Sequence, residues 1–311
     1  MSFIKRIFNI FKIPVDIIIS ILIIPSSLIM LLFRKIGSHK LILSKFIIKK
    51  IGIFPLTSNY YEPSFNFDNL KKNLSDKRNL PGINLDVQNQ IKNLKKLNYT
   101  EELKNLNFNF ENDFFEAGDA EIYYQMIRYF KPKKIIEIGS GHSSLVAKEA
   151  INKNKSDNFT TELICIEPYE NKWLEKKDIK VIRKKVEDLD QSTLSDLDKN
   201  DILFIDSSHV IKPQGDILKI FLEILPKLKT GVIIHIHDIF TPRDYPENWL
   251  KVENRFFNEQ YLLEGILDSS SRYSIMLSLN FLKHDFYKDL KNACPNLKEK
   301  SEPSSFYISV N

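Results

Sequence analysis

Residues 134–141, Lys-Ile-Ile-Glu-Ile-Gly-Ser-Gly, decide the fold class of this chain of 311 residues. A short apolar run carries one acid, Glu137, and then opens into two glycines, Gly139 and Gly141. Glycine has no Cβ, so it tolerates positive φ angles and lets a ligand approach the backbone closely. A helix beginning near Ser143 would point free N–H groups and the positive end of its dipole at the same place. The stretch therefore predicts a strand, a ligand-binding loop and a helix.

The sequence after residue 134 alternates regularly between strand and helix patterns. Strands are predicted at 134–138, 162–166, 179–183, 202–205 and 231–236, and helices at 143–152, 191–198 and 214–228. An additional helix is predicted at 253–266, and two final strands at 272–279 and 304–309, with a helical stretch from about residue 283 between them. Strands that alternate with helices imply an α/β fold with a parallel, doubly wound sheet.

Two helices are predicted ahead of this sheet. The first has apolar residues at helical spacing, namely Val87, Ile91 and Leu94. The second begins near Asp119, a good N-cap residue, and ends near Phe130. The rest of 55–117 is rich in asparagine and predicts a linker and a small cap.

Polar residues follow the predicted strands, and an open α/β sheet binds its ligands at the carboxyl ends of its strands. The candidates at these ends are Glu137, Gly139, Ser140, Gly141, Glu167, Glu187, Asp188, Asp206, His209, His237 and Asp238. An acid in the position of Glu167 can accept hydrogen bonds from both hydroxyls of a ribose. A dinucleotide-binding protein shares these features, but the third glycine of its fingerprint falls at Ser144. An NAD-dependent oxidoreductase is therefore one alternative.

Three motifs in this order resemble those of class I S-adenosylmethionine-dependent methyltransferases. They are Ile-Glu-Ile-Gly-Ser-Gly-His-Ser-Ser, Phe-Ile-Asp-Ser-Ser-His and His-Asp-Ile-Phe-Thr-Pro. Together they look like a bacterial subgroup whose relatives include sugar O-methyltransferases of natural-product pathways, and the resemblance covers about 118–311. It implies a seven-stranded, mostly parallel, Rossmann-like sheet with an antiparallel last strand.

The resemblance also implies a place for S-adenosylmethionine. The glycine loop would lie under the amino-acid part of the cofactor, Glu167 would bind the ribose, and Glu187 or Asp188 would lie near the adenine. The cofactor-binding residues expected on this basis are Glu137, Gly139, Ser140, Gly141, Glu167, Glu187, Asp188 and Asp206.

The related metal-dependent O-methyltransferases hold a divalent ion after the fourth and fifth strands, and an Asp-x-x-His arrangement adds a base. The matching positions make Asp206, His237 and Asp238 metal ligands, with His209 and Asp238 catalytic. A sugar hydroxyl is far from ionised near neutral pH, so a metal would lower its pKa and a histidine would take its proton. His237 stands where those enzymes carry a carboxylate, and an imidazole suits Mn²⁺, Fe²⁺ or Zn²⁺ better than Mg²⁺. A site without metal is the alternative.

Other polar and aromatic side chains have a structural interpretation beside a functional one. His235 is expected in the core, and His142 is expected to cap or line the glycine loop. Trp173, Tyr245 and Trp249 can either stack on a sugar or pack internally.

The N-terminal segment differs from the rest in charge and hydropathy. Residues 1–54 contain nine Lys or Arg and a single acid, Asp16, whereas the remainder has a net charge of −3. Residues 15–33 are almost entirely apolar, and nineteen helical residues span about 28 Å, close to the thickness of a bilayer core. Basic residues are denser after this run, which predicts that the C-terminal bulk is cytoplasmic. The alternatives are a kinked or re-entrant helix followed by an interfacial segment at 41–54, a signal peptide, and a buried helix of a soluble protein.

These patterns predict three regions: a membrane-attachment segment at 1–54, a linker and cap at 55–117, and a methyltransferase domain at 118–311. The expected activity is O-methylation of a small-molecule or lipid-linked sugar at the cytoplasmic membrane face. A non-catalytic membrane-bound module of the same fold is a further alternative. A nucleic-acid partner is not expected, because the positive charge lies outside the folded domain.

Overall fold

The computed structural model describes residues 3–57, 61–62, 69–169, 171–177 and 179–311, with side chains from residue 12 onward. The chain forms two compact units, Met1–Lys71 and Lys72–Asn311. The region boundaries at 54 and 117 stay predictions.

The first unit contains two helices, α1 (Phe3–Ile36) and α2 (Ile42–Ile51). Helix α1 is unbroken through both of its prolines, so it differs from the broken helix of a re-entrant segment. Its stretch Lys12–Ile36 has a mean hydropathy of 2.5 and is almost entirely unburied, with Phe33 as a buried exception. By length and composition this helix can cross a membrane, although an N-terminal signal sequence has the same features.

The second unit begins with the helices predicted ahead of the sheet. They are α3 (Val87–Lys96), α4 (Thr100–Lys104) and α5 (Asp119–Phe130). The N-cap of α5 is Gly118, so the prediction of Asp119 as the cap is wrong by one residue. The Asp119 carboxylate instead accepts hydrogen bonds from the backbone N–H groups of Ser304 (3.0 and 3.1 Å) and Ser305 (2.7 Å). It therefore ties α5 to the segment before the last strand.

Seven strands form a single sheet. They are β1 (Lys134–Ile138), β2 (Glu162–Ile166), β3 (Lys180–Ile182), β4 (Ile202–Ile205), β5 (Ile233–Ile236), β6 (Tyr273–Ser278) and β7 (Phe306–Val310). Their order is β3-β2-β1-β4-β5-β7-β6, and β7 runs antiparallel to both of its neighbours. The register places Ile135 of β1 between Leu163 of β2 and Ile202 of β4. The predicted doubly wound sheet with an antiparallel last strand is confirmed.

Helices connect the strands and follow them. They are α6 (His142–Ser156), α7 (Gln191–Ser195), α8 (Asp216–Leu218), α9 (Glu259–Ser269), α10 (Leu279–Asp285) and α11 (Tyr287–Ala293). Helix α8 continues through a π-helical turn at Lys219–Ile224, so the predicted helix at 214–228 is present in irregular form. The helix predicted at 253–266 begins only at Glu259. Its first predicted turn is missing because the N–H of Asn258 bonds to the carbonyl of His209 (2.9 Å), and its side chain accepts from Ile211.

Both faces of the sheet are buried, as expected for parallel strands covered by helices on each side. Along β4, Phe204 packs into one hydrophobic cluster, and Leu203 and Ile205 pack into the cluster on the opposite face. This arrangement leaves the carboxyl ends of β1, β2, β4 and β5 at one edge of the sheet.

Replacing Leu203 by alanine should lower the free energy of unfolding by about 2–5 kcal/mol, because a fully buried side chain would leave a cavity. The matched change Leu222→Ala should have little effect, since Leu222 is 56% exposed. Urea unfolding of the two variants in the same detergent measures both values. Equal losses would contradict the assignment of β4 to the centre of the core.

Candidate active site

A cavity of about 280 Å³ lies at the carboxyl ends of the parallel strands. It is lined by Ile138, Gly139, Ile166, Glu167, Pro168, Tyr169, Lys185, Val186, Glu187, Asp206, Ser207, Ser208, Lys212 and Asp216. Four of the predicted cofactor-binding residues are in this lining: Gly139, Glu167, Glu187 and Asp206. The other four, Glu137, Ser140, Gly141 and Asp188, are not.

Gly139 is the point at which the loop after β1 contacts the loop after β4. Its φ of +80° is a conformation that favours glycine, and an added Cβ would lie 1.7 Å from the backbone oxygen of Asp206. The N–H of Asp206 in turn donates to the carbonyl of Ile138 at 2.8 Å. The glycine is therefore required by a protein contact, and the same contact fixes Asp206 beside the cavity.

Gly141 differs from Gly139, since its φ of −178° is open to any residue. An added Cβ would lie 3.1 Å from the side-chain amide of Asn171, and that amide donates to the carbonyl of Ser140 at 2.7 Å. Asn171 therefore covers the loop. No motif signalled this, because the contact joins segments thirty residues apart.

Glu137 lies inside the domain, with none of its surface exposed. It accepts hydrogen bonds from the hydroxyls of Tyr123 (2.9 Å) and Ser144, the residue in place of a third glycine. Burial raises the pKa of Glu137 to about 7. The carboxyl group thus fastens the start of α6 to β1, and the expected direct contact with a cofactor is not supported by this geometry.

The outer part of the cavity is formed after β2 and β3. Glu167 accepts a hydrogen bond from the N–H of Tyr169 at 2.9 Å, and the Tyr169 ring is 66% exposed at the cavity mouth. The Lys185 ammonium lies 5.9 Å from the centre of that ring. Glu187 lines the cavity, while Asp188 is exposed and is not part of the lining. The placement of Glu187 or Asp188 near an adenine stays a prediction.

A second group of polar residues adjoins the cavity at Asp206. His209 Nε2 lies 3.3 Å from Asp206 Oδ1 and 3.6 Å from Asp238 Oδ2. His237 Nδ1 lies 3.6 Å from Asp206 Oδ1 and 3.3 Å from Asp238 Oδ1. Each imidazole thus presents one nitrogen to the same two carboxylates. We call these four residues the His/Asp cluster.

The remaining nitrogen of each imidazole faces an outer carboxyl group. Glu259 Oε2 lies 2.8 Å from His209 Nδ1, and Asp119 Oδ2 lies 3.5 Å from His237 Nε2. The hydroxyl of Ser304 donates to Asp238 Oδ1 at 3.0 Å. Sequence reasoning missed the site roles of all three residues, because α9, α5 and the approach to β7 reach the site only through the tertiary fold.

The charges of the cluster shift its pKa values strongly. Burial alone would lower the pKa of both imidazoles. For His209, the hydrogen bonds to Asp206 and Glu259 outweigh burial and raise its pKa well above the usual value. For His237, the negative charges of Asp238 and Asp206 outweigh burial and raise its pKa well above the usual value. Desolvation also opposes ionisation of Asp206, but His237 and His209 hold the pKa of that carboxyl well below its usual range.

Two residues of the cluster have strained backbones. His209 has φ of +57° and Asp238 has φ of +61°, values that residues other than glycine seldom adopt. Such conformations cost free energy and concentrate at functional sites. His209 is also buried, with 6% of its surface exposed.

The predicted metal ligands lie together, with one difference. Within the described part of the chain, the donor atoms of Asp206, His209 and Asp238 all lie within 4.8 Å of one another. The expected set had His237 in place of His209. His237 Nδ1 still faces both carboxylates and makes no hydrogen bond. The set can therefore offer two oxygen and two nitrogen donors.

The histidine of β5 that precedes the cluster belongs to the core, as predicted. His235 Nε2 lies 2.8 Å from the Ser305 hydroxyl, and its ring stacks on Tyr307 at 4.1 Å. Burial and the nearby charge of His237 lower the pKa of His235 well below its usual value. The pKa of His235 is therefore lowered, whereas the pKa of His237, two residues further along the chain, is raised.

The aromatic candidates differ in burial, since Tyr245 is buried whereas Trp173 and Trp249 are half-buried. Tyr245 is 1% exposed and its hydroxyl accepts a hydrogen bond from the N–H of Gln260, so it packs internally. The guanidinium of Arg255 lies over the ring of Trp249, 4.3 Å from the ring centre. His142 stacks on Phe114 with ring centres 5.2 Å apart, and its ring centre lies 6.3 Å from that of Trp173.

Comparison with known proteins gives a methyltransferase match. Residues 136–239 match the family described as a methyltransferase domain. An uncharacterised protein of Archaeoglobus fulgidus is 28% identical over 192 residues, which cover 54% of this chain and 85% of that protein. The family match spans the glycine loop and the ends of β1, β2, β4 and β5, and it confirms the methyltransferase resemblance for this part of the chain.

Similar solved structures include two O-methyltransferases. TomG of Streptomyces achromogenes, solved in complex with S-adenosylmethionine, is 16% identical, covers 71% of this chain and 90% of its own, and has a TM-score of 0.39. An O-methyltransferase of Bacillus cereus, solved with S-adenosylhomocysteine, is 12% identical. The match covers 71% of this chain and 91% of that enzyme, and its TM-score is 0.40. TM-scores below 0.5 indicate only distant similarity.

The change Gly139→Ala should lower the free energy of unfolding by about 1–3 kcal/mol and weaken binding of S-adenosylmethionine, because the new Cβ strains the loop and displaces Asp206. Gly265→Ala is the matched control, since a Cβ there meets nothing within 4 Å. Thermal unfolding and calorimetric titration compare the variants. Wild-type values for Gly139→Ala would show that the contact with Asp206 is dispensable.

Proposed function

We propose that the chain transfers the methyl group of S-adenosylmethionine to a hydroxyl of a sugar or a lipid-linked glycan. One observation carries this proposal: Asp206 lines the strand-end cavity and also belongs to the His/Asp cluster. A group bound in the cavity would therefore lie beside residues suited to deprotonating a hydroxyl. The methyltransferase match over the same residues supports the same reaction class.

The cavity residues fit the cofactor. Glu167 stands at the end of β2, where a carboxylate can accept from ribose hydroxyls, and the exposed ring of Tyr169 offers a face on which adenine can stack. Glu187 lies in the same lining and can accept from an amino group. When bound, S-adenosylmethionine supplies a sulfonium-linked methyl, and the C–S electron pair stays on sulfur as the acceptor oxygen takes the carbon.

The His/Asp cluster fits a divalent cation. Asp206 and Asp238 are its oxygen donors, and His237 Nδ1, buried without a hydrogen bond, is the proposed nitrogen donor. A donor set of two carboxylates and an imidazole suits Mn²⁺ better than Mg²⁺. A cation there would lower the pKa of a bound hydroxyl.

His209 is the proposed base. Its Nε2 faces Asp206 at the cavity edge. A cation held by Asp206 and Asp238 would offset the negative charge that raises the pKa of His209, and the neutral ring would then accept the proton that the acceptor hydroxyl loses. Glu259 binds Nδ1 at 2.8 Å, so it fixes the ring orientation and keeps Nε2 directed at the cluster. Glu259 is thus a positioning residue.

A ring-bearing acceptor is supported by aromatic residues next to the cluster. Phe114 is 73% exposed and stacks on His142, while its neighbour Phe115 packs against His237 with ring centres 5.2 Å apart. The side chain of Asn112 accepts from the N–H groups of both phenylalanines and so fixes the turn that presents Phe114. A preformed, exposed ring of this kind can stack on the apolar face of a sugar.

The proposed location is the cytoplasmic face of a membrane, with attachment through α1. Support comes from its apolar, unburied length and from the cations that follow it. The alternatives are an NAD-dependent oxidoreductase, which shares the glycine loop and Glu167, and a non-catalytic module, which would keep the cavity but transfer no methyl group.

Full-length protein in lipid nanodiscs should bind S-adenosylmethionine by calorimetry and Mn²⁺ by electron paramagnetic resonance. Asp238→Asn should weaken Mn²⁺ binding by roughly tenfold or more, since it removes one charged ligand, and should spare cofactor binding, because Asp238 lies outside the cavity lining. Asp188→Asn, an exposed acid, is the control. Binding of NAD without S-adenosylmethionine would favour the oxidoreductase. Failure of the wild type to bind Mn²⁺ would leave a metal-free mechanism at His209.

His209→Ala should reduce methyl transfer roughly 10²–10⁴-fold, because it removes the proton acceptor, and should leave S-adenosylmethionine affinity unchanged, because His209 lies outside the cavity lining. The assay follows labelled methyl transfer from S-adenosylmethionine into the lipid-linked and soluble sugars of the cell envelope. His284→Ala, which alters a histidine paired with Glu302, should be active. Unchanged turnover together with lost Mn²⁺ binding would make His209 a metal ligand and leave another group as the base. No transfer by the wild type, despite cofactor binding, would favour the non-catalytic module.

A further inference from the structure

The segment that follows the apolar helix is strongly cationic. Between residues 34 and 54 it contains no acid and six basic side chains: Arg34, Lys35, Lys40, Lys45, Lys49 and Lys50. Within the described part of the chain, none of the three lysines of α2 is paired with an acid. This charge is therefore available to an anionic partner.

Helix α2 is a formed element with a defined end. Gly52, with φ of +87°, donates its N–H to the carbonyls of Ile48 and Lys49, and Ile53 donates to Ile48. This is the hydrogen-bond pattern of a helix stopped by a left-handed glycine. The orientation of the side chains on α2 is thus set before any partner binds.

One half of α2 is exposed and apolar except for Lys50. At 100° per residue, five side chains fall within one half of the helix circumference, namely Ile42, Leu43, Phe46, Ile47 and Ile51. Ile42 is 78% exposed and Phe46 is 61% exposed, while Ile48, on the other half, is 7% exposed. An apolar surface of this kind on a short helix is costly in water, so it needs a covering partner.

We propose that α2 lies in the headgroup layer of an anionic lipid bilayer, as a membrane element separate from the spanning helix α1. Its apolar half faces the acyl chains. Lys45 and Lys49 flank that half, and Lys50 extends from within it, so their flexible stems reach lipid phosphates. This inference rests on the proposed membrane attachment of α1, and it adds recognition of lipid charge.

Charge decides between an anionic bilayer and the other possible partners. Arg34 is paired with Glu62, but the five lysines of the segment have no ion pair with an acid within the described residues. Five such cations would repel a second copy of the same segment, whereas an anionic headgroup layer attracts each of them. Basic residues next to a membrane strengthen binding about fivefold each when anionic lipid is present, and salt weakens the effect. The proposed occupant is therefore the lipid surface.

The depth of α2 can be measured on the full-length protein in vesicles. A nitroxide attached through Phe46→Cys should collide with oxygen more than with a water-soluble nickel chelate, whereas a label at Lys45→Cys should show the reverse. The native Cys165 and Cys294 are fully buried, so labelling is selective. The vesicles contain phosphatidylcholine alone or phosphatidylcholine with phosphatidylglycerol. At position 46, the fraction of label immersed in the membrane should exceed the water-exposed fraction only in vesicles that contain phosphatidylglycerol.

Charge variants test recognition of the headgroup. In phosphatidylglycerol vesicles, Lys49→Gln with Lys50→Gln should lower the ratio of immersed to exposed label about 25-fold, which is fivefold for each lysine. Replacing both by arginine should restore the ratio. The matched change Lys95→Gln with Lys96→Gln, two exposed lysines of α3, should leave it unchanged.

Three results would overturn the inference. They are a water-exposed label at position 46 in both lipids, equal immersion with and without phosphatidylglycerol, and dipolar broadening between labels, which would show that a second copy covers α2. Release of the whole chain from vesicles by alkaline carbonate would instead contradict the proposal that α1 anchors the chain in the membrane. None of these measurements depends on methyl transfer.

Discussion

The close approach of Gly139 to the backbone of Asp206 is the constraint on which the site depends. A side chain at position 139 would overlap the carbonyl of Asp206, and the N–H of Asp206 is already bonded to Ile138. The loop after β1 and the loop after β4 are therefore locked together. Since Asp206 borders both the cavity and the His/Asp cluster, this one contact sets the distance between a bound cofactor and the residues that would deprotonate an acceptor.

The cluster itself is an arrangement of charge that the surrounding fold must hold together. Two carboxylates lie between two imidazoles, and each imidazole has its own outer carboxyl group, Glu259 or Asp119. Such a concentration of acids is stable only beside cationic groups or a metal ion, because buried like charges repel. The positive φ angles of His209 and Asp238 show that the backbone accepts strain to keep these groups in place.

The sequence predicts the local parts of this site well. Several polar residues of the site can be found from the sequence because they lie close behind a predicted strand. They are the glycine loop, Glu167, Asp206, His209, His237 and Asp238. The methyltransferase resemblance predicts that Glu137 binds the cofactor, whereas in the structure its buried carboxyl group accepts hydrogen bonds from Tyr123 and Ser144. Glu259, Asp119 and Asn171 could not be found, because their roles come from helices and loops brought close only by the tertiary fold.

The start of α9 shows how such distant parts are coupled. A helix leaves its first N–H groups without partners inside the helix. The carbonyl of His209 accepts from the N–H groups of Asn258 (2.9 Å) and Glu259 (3.2 Å), while the Glu259 carboxyl group holds the imidazole of the same residue. Backbone and side chain of His209 are thus fixed by one helix end. The segment between β5 and α9 adds a further contact, since the ring centre of Phe257 lies 4.7 Å from that of His209.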